Sequence, residues 1–101
     1  MVCDVWGERY RYNYIFTDKL LNILLKYSVL PSDTAPKRLE RDYFDLTAYH
    51  QILKNNFRVF ISGNGYIYVE LYDWRANFYI GSDEAYSLIE RMLTAVKSGY
   101  G

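Results

Sequence analysis

Phe57-Arg-Val-Phe-Ile-Ser-Gly-Asn-Gly-Tyr-Ile-Tyr-Val-Glu-Leu-Tyr-Asp-Trp74 is the stretch that decides the fold. Before Gly63, the residues Phe57, Val59 and Ile61 alternate with Arg58 and Phe60. After Gly65, Ile67, Val69 and Leu71 alternate with Tyr66, Tyr68, Glu70, Tyr72 and Trp74. Alternation with a period of two sends successive side chains to opposite faces of a strand. Gly63-Asn64-Gly65 supplies residue types that tolerate the backbone of a tight hairpin loop. Arg75-Ala76-Asn77 reads as a second turn and Phe78 to Ile80 as a third strand. Connections this short join antiparallel neighbours, so the segment is expected to form a three-stranded meander.

Downstream, Ser82 is a candidate N-cap, and Asp83 and Glu84 suit the positive end of a helix dipole. Ala85, Ile89, Met92, Leu93 and Val96 then form one apolar stripe, with Glu84, Ser87, Arg91 and Thr94 opposite, and Gly99 is the expected stop. The aliphatic side of the middle strand (Ile67, Val69, Leu71) matches this stripe, so helix and sheet are expected to pack there. The other side carries Tyr66, Tyr68, Tyr72 and Trp74 around Glu70, joined by Arg58 and Phe60 from the first meander strand and Tyr79 from the third.

Upstream, Glu8 to Phe16 alternates Tyr10, Tyr12, Tyr14 and Phe16 with Arg9, Arg11 and Asn13, which predicts an N-terminal strand. Thr17 is a plausible cap for a helix from Lys19 to Leu30, ended by Pro31. That helix has a narrow polar stripe (Lys19, Asn22, Lys26), so it needs cover on more than one side. Ser32 to Arg41 is polar and reads as a long loop, with room for a helical turn after Pro36. Asp45 is a candidate cap for a short helix running to Asn55, with Leu46, Tyr49 and Leu53 on one face. The expected architecture is a single α+β domain over residues 1–101: a three-stranded antiparallel meander plus an N-terminal strand, packed with two to three helices.

The chain has 101 residues, enough for one domain, and 12 of them are Tyr. Tyr has an apolar body and a polar tip, and each buried hydroxyl needs a partner, so some of these rings are expected at a surface. Lys plus Arg and Asp plus Glu are both 12, for a formal net charge of zero. Bulk electrostatic attraction to nucleic acid is therefore not expected, although a local basic patch remains open. The lone Cys3 excludes an internal disulfide and makes a reducing, cytoplasmic setting the expectation. No apolar run approaches a membrane span and the first residues do not read as a secretory signal.

Catalytic and metal-binding patterns are missing from the sequence. No GxGxxG or Walker loop occurs, and Gly63-Asn64-Gly65 lacks the following helix of a phosphate loop. Cys3 and His50 are each alone of their kind, too few for a zinc site and with nothing to orient a Cys–His pair. Glu40, Asp42, Asp45, Glu70 and Asp73 read as solvated charges and caps; Glu70 and Asp73 are three apart, on opposite faces of a strand. No catalytic residue, metal or cofactor is expected.

The aromatic side of the sheet is the remaining functional signal, and three arrangements of it are open. The apolar first helix folds over it, or a second copy seals it, or it stays exposed and binds a partner. In the last case the contact residues are Tyr66, Tyr68, Tyr72, Trp74, Arg58 and Tyr79, with Tyr10 and Tyr12 as secondary candidates. A protein partner suits Tyr, Trp and Arg, which dominate interface hot spots. A single-stranded nucleic acid stacking on the same rings, with Arg9, Arg11 and Arg58 supplying charge, is the alternative. A metal-dependent nuclease built on Glu40, Asp42 and Asp73 is a second alternative.

From Asn56 to Gly101 the pattern of meander and capped helix resembles that of small phage anti-CRISPR proteins. The residues that carry the resemblance are Phe78-Tyr-Ile-Gly-Ser-Asp-Glu84, Ile89-Glu-Arg-Met92 and Ala95-Val-Lys-Ser-Gly-Tyr100. The chain departs from that group in lacking an acidic excess, and its Tyr-rich N-terminal stretch has no counterpart there. The resemblance implies a small viral protein that inhibits by occupying a surface of a host nucleic-acid-processing complex. It implies no particular contact residues.

Overall fold

The computed structural model describes residues 2–11, 22–27, 29–38, 40–50, 55–71 and 73–98. They form a small α+β fold, an antiparallel sheet with one main helix. The strands are β1 (Val2–Val5), β2 (Glu8–Arg11), β3 (Leu30–Pro31), β4 (Tyr43–His50), β5 (Asn55–Ser62), β6 (Tyr66–Leu71) and β7 (Trp74–Tyr79), and the helix is α1 (Ser82–Ser98). The seven strands lie in the order β2-β1-β4-β5-β6-β7-β3, every pair antiparallel.

Register follows from which side chains must leave water. Val5, Phe44, Ile61, Ile67 and Phe78 stand opposite one another across β1, β4, β5, β6 and β7. The next row is Cys3, Leu46, Val59, Val69 and Ala76. These rows, with Phe57, make the inner face. Ala85, Leu88, Ile89, Met92, Ala95 and Val96 of α1 complete one buried cluster with them. A slip by one residue in any strand would exchange these side chains for the polar ones on the reverse side.

The meander expected from residue 57 onward is present as β5, β6 and β7, but the sheet around it is larger. Three strands had no counterpart in the sequence reading: β1, β3 and β4. The helix expected from Asp45 to Asn55 is replaced by β4 through His50 and the start of β5 at Asn55. The reason is the alternation of Phe44 and Leu46, both fully buried between β1 and β5, with Tyr43, Asp45 and Thr47 on the opposite face. The expected third strand was also too short. Leu71 already pairs with Trp74, and Arg75-Ala76-Asn77 is strand rather than turn.

For the helix expected from Lys19 to Leu30, residues 19–21 lie outside the described residues. Asn22–Leu24 form a helical turn, Leu24 is buried in the core, and Lys26 and Tyr27 donate to the carbonyls of Ile23 and Leu24 at 3.2 and 3.1 Å. Leu30 and Pro31 then pair with Tyr79 and Phe78. Pro31 is thus an edge-strand residue, a position where a missing N–H costs the ladder nothing. The expected N-terminal strand is present as β2, Glu8–Arg11; Tyr12, Tyr14 and Phe16 lie outside the described residues. So does the expected helix stop, Gly99.

The order of the strands forces two crossings. β2 and β3 lie at opposite edges of the sheet, so the segment between them runs from one edge to the other. Its described part lies on the inner side, where the Tyr27 hydroxyl is 3.0 Å from Ser87 Oγ and Arg91 sits 5.6 Å from the Tyr27 ring. The segment from Ser32 to Asp42 has to return from the β3 edge to β4, past β7, β6 and β5. It does so over the outer face, and we refer to residues 32–38 as the strap. The strap has no helix or strand assigned to it, as the polar sequence implied.

Two turns hold this arrangement. Trp6 and Gly7, at φ 50° and 81°, close the β1–β2 hairpin in the left-handed conformation that matches strand twist. Gly65, at φ 100°, ends the expected Gly63-Asn64-Gly65 loop, and its carbonyl accepts from the Ile80 N–H at 2.8 Å. A Cβ at Gly65 would come within 2.6 Å of the Gly81 backbone, whereas one at Gly81 would meet nothing within 4 Å. Ala85 donates to the Gly81 carbonyl, so Gly81 rather than Ser82 occupies the cap position of α1. Gly65→Ala is expected to cost about 1–3 kcal/mol and more than Gly81→Ala, because only the first adds a backbone clash to the strained φ. Urea denaturation of both variants checks the order.

Candidate functional site

The outer face is built by the residues that alternate with the core. One row runs Asp4, Asp45, Phe60, Tyr68 and Asn77, and the next Thr47, Arg58, Glu70 and Arg75. At one end Tyr66 and Tyr79 are paired, with ring centroids 4.8 Å apart, and Leu30 stands beside Tyr79 at the edge. Of the sequence-predicted contact residues, Arg58, Tyr66, Tyr68 and Tyr79 are brought together here. The first helix does not cover them among the described residues; its final turn packs on the inner side.

Trp74 is a correction. The sequence groups it with the tyrosines, but it pairs with Leu71, on the helix side. There it lies 6.2 Å from the Phe78 ring and is 52% exposed. Tyr72 and Tyr12 lie outside the described residues. Tyr10 pairs with Cys3 in β2, and its side chain is not among those described.

Asp45 organises the face. Its side chain is 11% exposed and accepts from Arg58 through both oxygens, Nε to Oδ1 at 3.1 Å and a terminal nitrogen to Oδ2 at 3.2 Å. Arg38 reaches the same Oδ2 from the strap at 3.5 Å. Its other terminal nitrogen donates to the Tyr43 hydroxyl at 2.7 Å, and its guanidinium lies 4.3 Å above the Tyr43 ring. Tyr43 in turn stacks on Phe60 at 6.0 Å with 9° between the planes. The bond to Asp45 raises the Arg58 pKa further. On β6 and β7, the Tyr68 hydroxyl donates to Glu70 at 2.9 Å and Arg75 pairs with the same oxygen at 3.2 Å. Burial, and then that hydrogen bond, raise the Tyr68 pKa, so the phenol remains a donor. Arg9 pairs with Asp4 at 2.7 Å.

Each carboxylate of the face is therefore matched within the chain, and the rings sit among these pairs. Strap and sheet enclose a groove of about 350 Å³ lined by Ala35, Pro36, Arg38, Arg58, Phe60 and Tyr68. Sequence reasoning missed Tyr43, Asp45 and Arg38 as parts of this site. The signal for the first two was Tyr43-Phe-Asp-Leu-Thr47, whose period of two was read as the start of a helix.

The weighed alternatives find little to work with. Among the described residues no group of His, Cys, Asp and Glu converges on a metal position. Glu40, Asp42 and Asp73 are exposed. Cys3 is fully buried, and burial first, then the charges of Asp4 and Asp45, push its thiol up from 9.0 to about 12. A thiol held neutral is a poor nucleophile. The unfolded chain releases this proton near pH 9 and the folded chain only near 12, so stability should fall as pH rises through that window. Chemical denaturation at stepped pH checks this, and Cys3 should react with a disulfide reagent only at the rate of unfolding.

Asp45→Ala should destabilise by about 1–2 kcal/mol, the lower part of the range for an orphaned charged partner because Arg58 is partly solvated. Urea midpoints of Asp45→Ala and Asp45→Asn check it. Equality of both with the original chain would remove Asp45 as the organiser of the face.

Among the described residues no helix is long and apolar enough to cross a membrane. Comparison of the chain with protein-family models, with curated proteins and with solved structures finds no match.

Proposed function

We propose that this chain is a non-enzymatic protein-binding module that works by occupying a surface of a larger partner with the outer face of its sheet. The observation that supports this most is the pairing of exposed aromatic rings with internally matched charge. Tyr79 is 39% exposed, with Tyr66 and Tyr68 half-buried beside it, while Asp4, Asp45 and Glu70 each already face an arginine. A surface of this kind has little attraction for a polyanion, yet offers the rings that anchor protein interfaces. Following its resemblance to phage anti-CRISPR proteins, we assign the module to viral inhibitors of a host nucleic-acid-processing complex.

The test is a cleavage assay with an RNA-guided DNA nuclease and the purified chain in excess. Cleavage should slow by about tenfold or more, and Tyr66→Ala combined with Tyr79→Ala should restore it, the loss expected when interface anchors are removed. If no nuclease is slowed, the inhibitor assignment fails. If, in addition, nothing cross-links to the face in cell extract in a manner sensitive to the double variant, the binding-module reading fails with it.

A second reading has one observation in its favour: Arg58 lies 5.8 Å from the Phe60 ring, beside Tyr68, an arrangement on which a base can stack. Single-stranded oligonucleotides should then bind at low salt and weaken steeply as salt rises. Absence of binding at low salt eliminates it.

A further inference from the structure

The groove beneath the strap has a charge character that the rest of the outer face lacks. Of the six side chains that line it, two are guanidinium groups and none is a carboxylate. Asp45, which contacts both of these arginines, is already engaged by Arg58 through both of its oxygens. Two arginines share that one carboxylate, which leaves a surplus of one positive charge. The surplus resides on Arg38, whose contact with Asp45 is the longest of the three at 3.5 Å and whose side chain is 54% exposed. Two of the five N–H groups of Arg38 are used, one on Asp45 and one on the Tyr43 hydroxyl. The guanidinium also lies 4.3 Å from the Tyr43 ring centroid, so these three contacts restrain the side chain before any ligand arrives. Below it, Phe60 and Tyr68 supply ring surface, and Ala35 and Pro36 form an apolar wall.

We infer that this groove is a docking site for an acidic, aromatic-containing peptide segment of a protein partner. Arg38 holds one carboxylate of the segment and the floor formed by Phe60 and Tyr68 receives an apolar or aromatic side chain. The inference rests on the reading of the outer face as a protein-binding surface and names the chemistry of the partner. A carboxylate is favoured over a run of phosphates because the surplus is a single charge, and because Glu70 and Asp4 stand elsewhere on the same face. The groove's 350 Å³ is at the small end of ligand sites, room for one large side chain with its neighbouring acid rather than for a folded element. The planar fork of an arginine suits a carboxylate approached by two parallel hydrogen bonds.

The probe is the blocked peptide acetyl-Glu-Phe-Glu-Ala-amide, compared with its counterpart bearing Gln in place of Glu, and with oligothymidylate. Binding is read by nuclear magnetic resonance on the full chain, through the Arg38 Nε–H and the rings of Phe60 and Tyr68. The acidic peptide should saturate these signals, with the Gln peptide weaker by about tenfold, the loss expected for one charge-assisted pair. Arg38→Gln should weaken the acidic peptide by a similar factor and change the Gln peptide far less, with a native-like dispersed amide spectrum showing that the fold is kept. Arg38→Lys, which keeps charge but not the fork, should fall between. Equal binding of the two peptides, no binding of either, or tighter binding of oligothymidylate at the same signals would each overturn the inference. Its failure is separable from failure of the broader reading. A partner lost on Tyr66→Ala with Tyr79→Ala but retained by Arg38→Gln leaves the face as an interface and removes the acidic segment.

Discussion

One helix covers one side of the sheet, and every other feature of the molecule depends on that contact. Burying a large aliphatic or aromatic side chain contributes roughly 1.5–3 kcal/mol, and α1, with Leu24 beside it, forms one buried cluster with residues drawn from β1, β4, β5 and β6. Because side chains alternate along a strand, fixing the inner row of each strand also fixes which residues appear on the reverse. Ile67 and Val69 under the helix require Tyr66, Tyr68 and Glu70 above. Phe44 and Leu46 require Tyr43 and Asp45. The composition of the outer face is in this sense a by-product of core register.

What the outer face adds is lateral order. Asp45 pairs with Arg58 on the next strand, and Glu70 with Arg75, so each carboxylate is satisfied by a neighbouring strand rather than by water alone. Exposed pairs of this kind are individually weak. Asp45 is the exception, because it is largely buried and is approached by two guanidinium groups. Through Arg38 it also tethers the strap, so a single carboxylate joins β4, β5 and the crossing segment.

The parts legible in the sequence are those governed by neighbours in the chain. Gly63-Asn64-Gly65 marked its hairpin, the alternation on either side marked β5 and β6, and the stripe from Ala85 to Val96 marked the buried side of α1. The parts that were not legible depend on distant pairing. Val2-Cys-Asp-Val5 is too short to show a period, and becomes a strand because β4 lies beside it. Leu30 and Pro31 pair with β7 only because the chain arrives at that edge between its two crossings. Asp45 looks like a cap to a local reading, since nothing in its immediate sequence announces Arg58. The position of Trp74 turned on whether the chain reverses before it or at the later triplet Arg75-Ala76-Asn77. One register step of that kind moves a ring from one face to the other, and the aromatic cluster shrank accordingly.

The alternation of early and late strands across the sheet has a consequence for biosynthesis. Both outermost strands, β2 and β3, precede residue 32, while α1 follows every strand of the sheet in the chain. A nascent polypeptide on the ribosome therefore holds Cys3, Val5, Phe44 and Leu46 without α1 until residues 82–98 have been made. Domains rich in such long-range contacts assemble slowly. Productive folding of this one should wait until α1 has emerged, leaving an interval in which chaperones compete with aggregation for the half-made sheet.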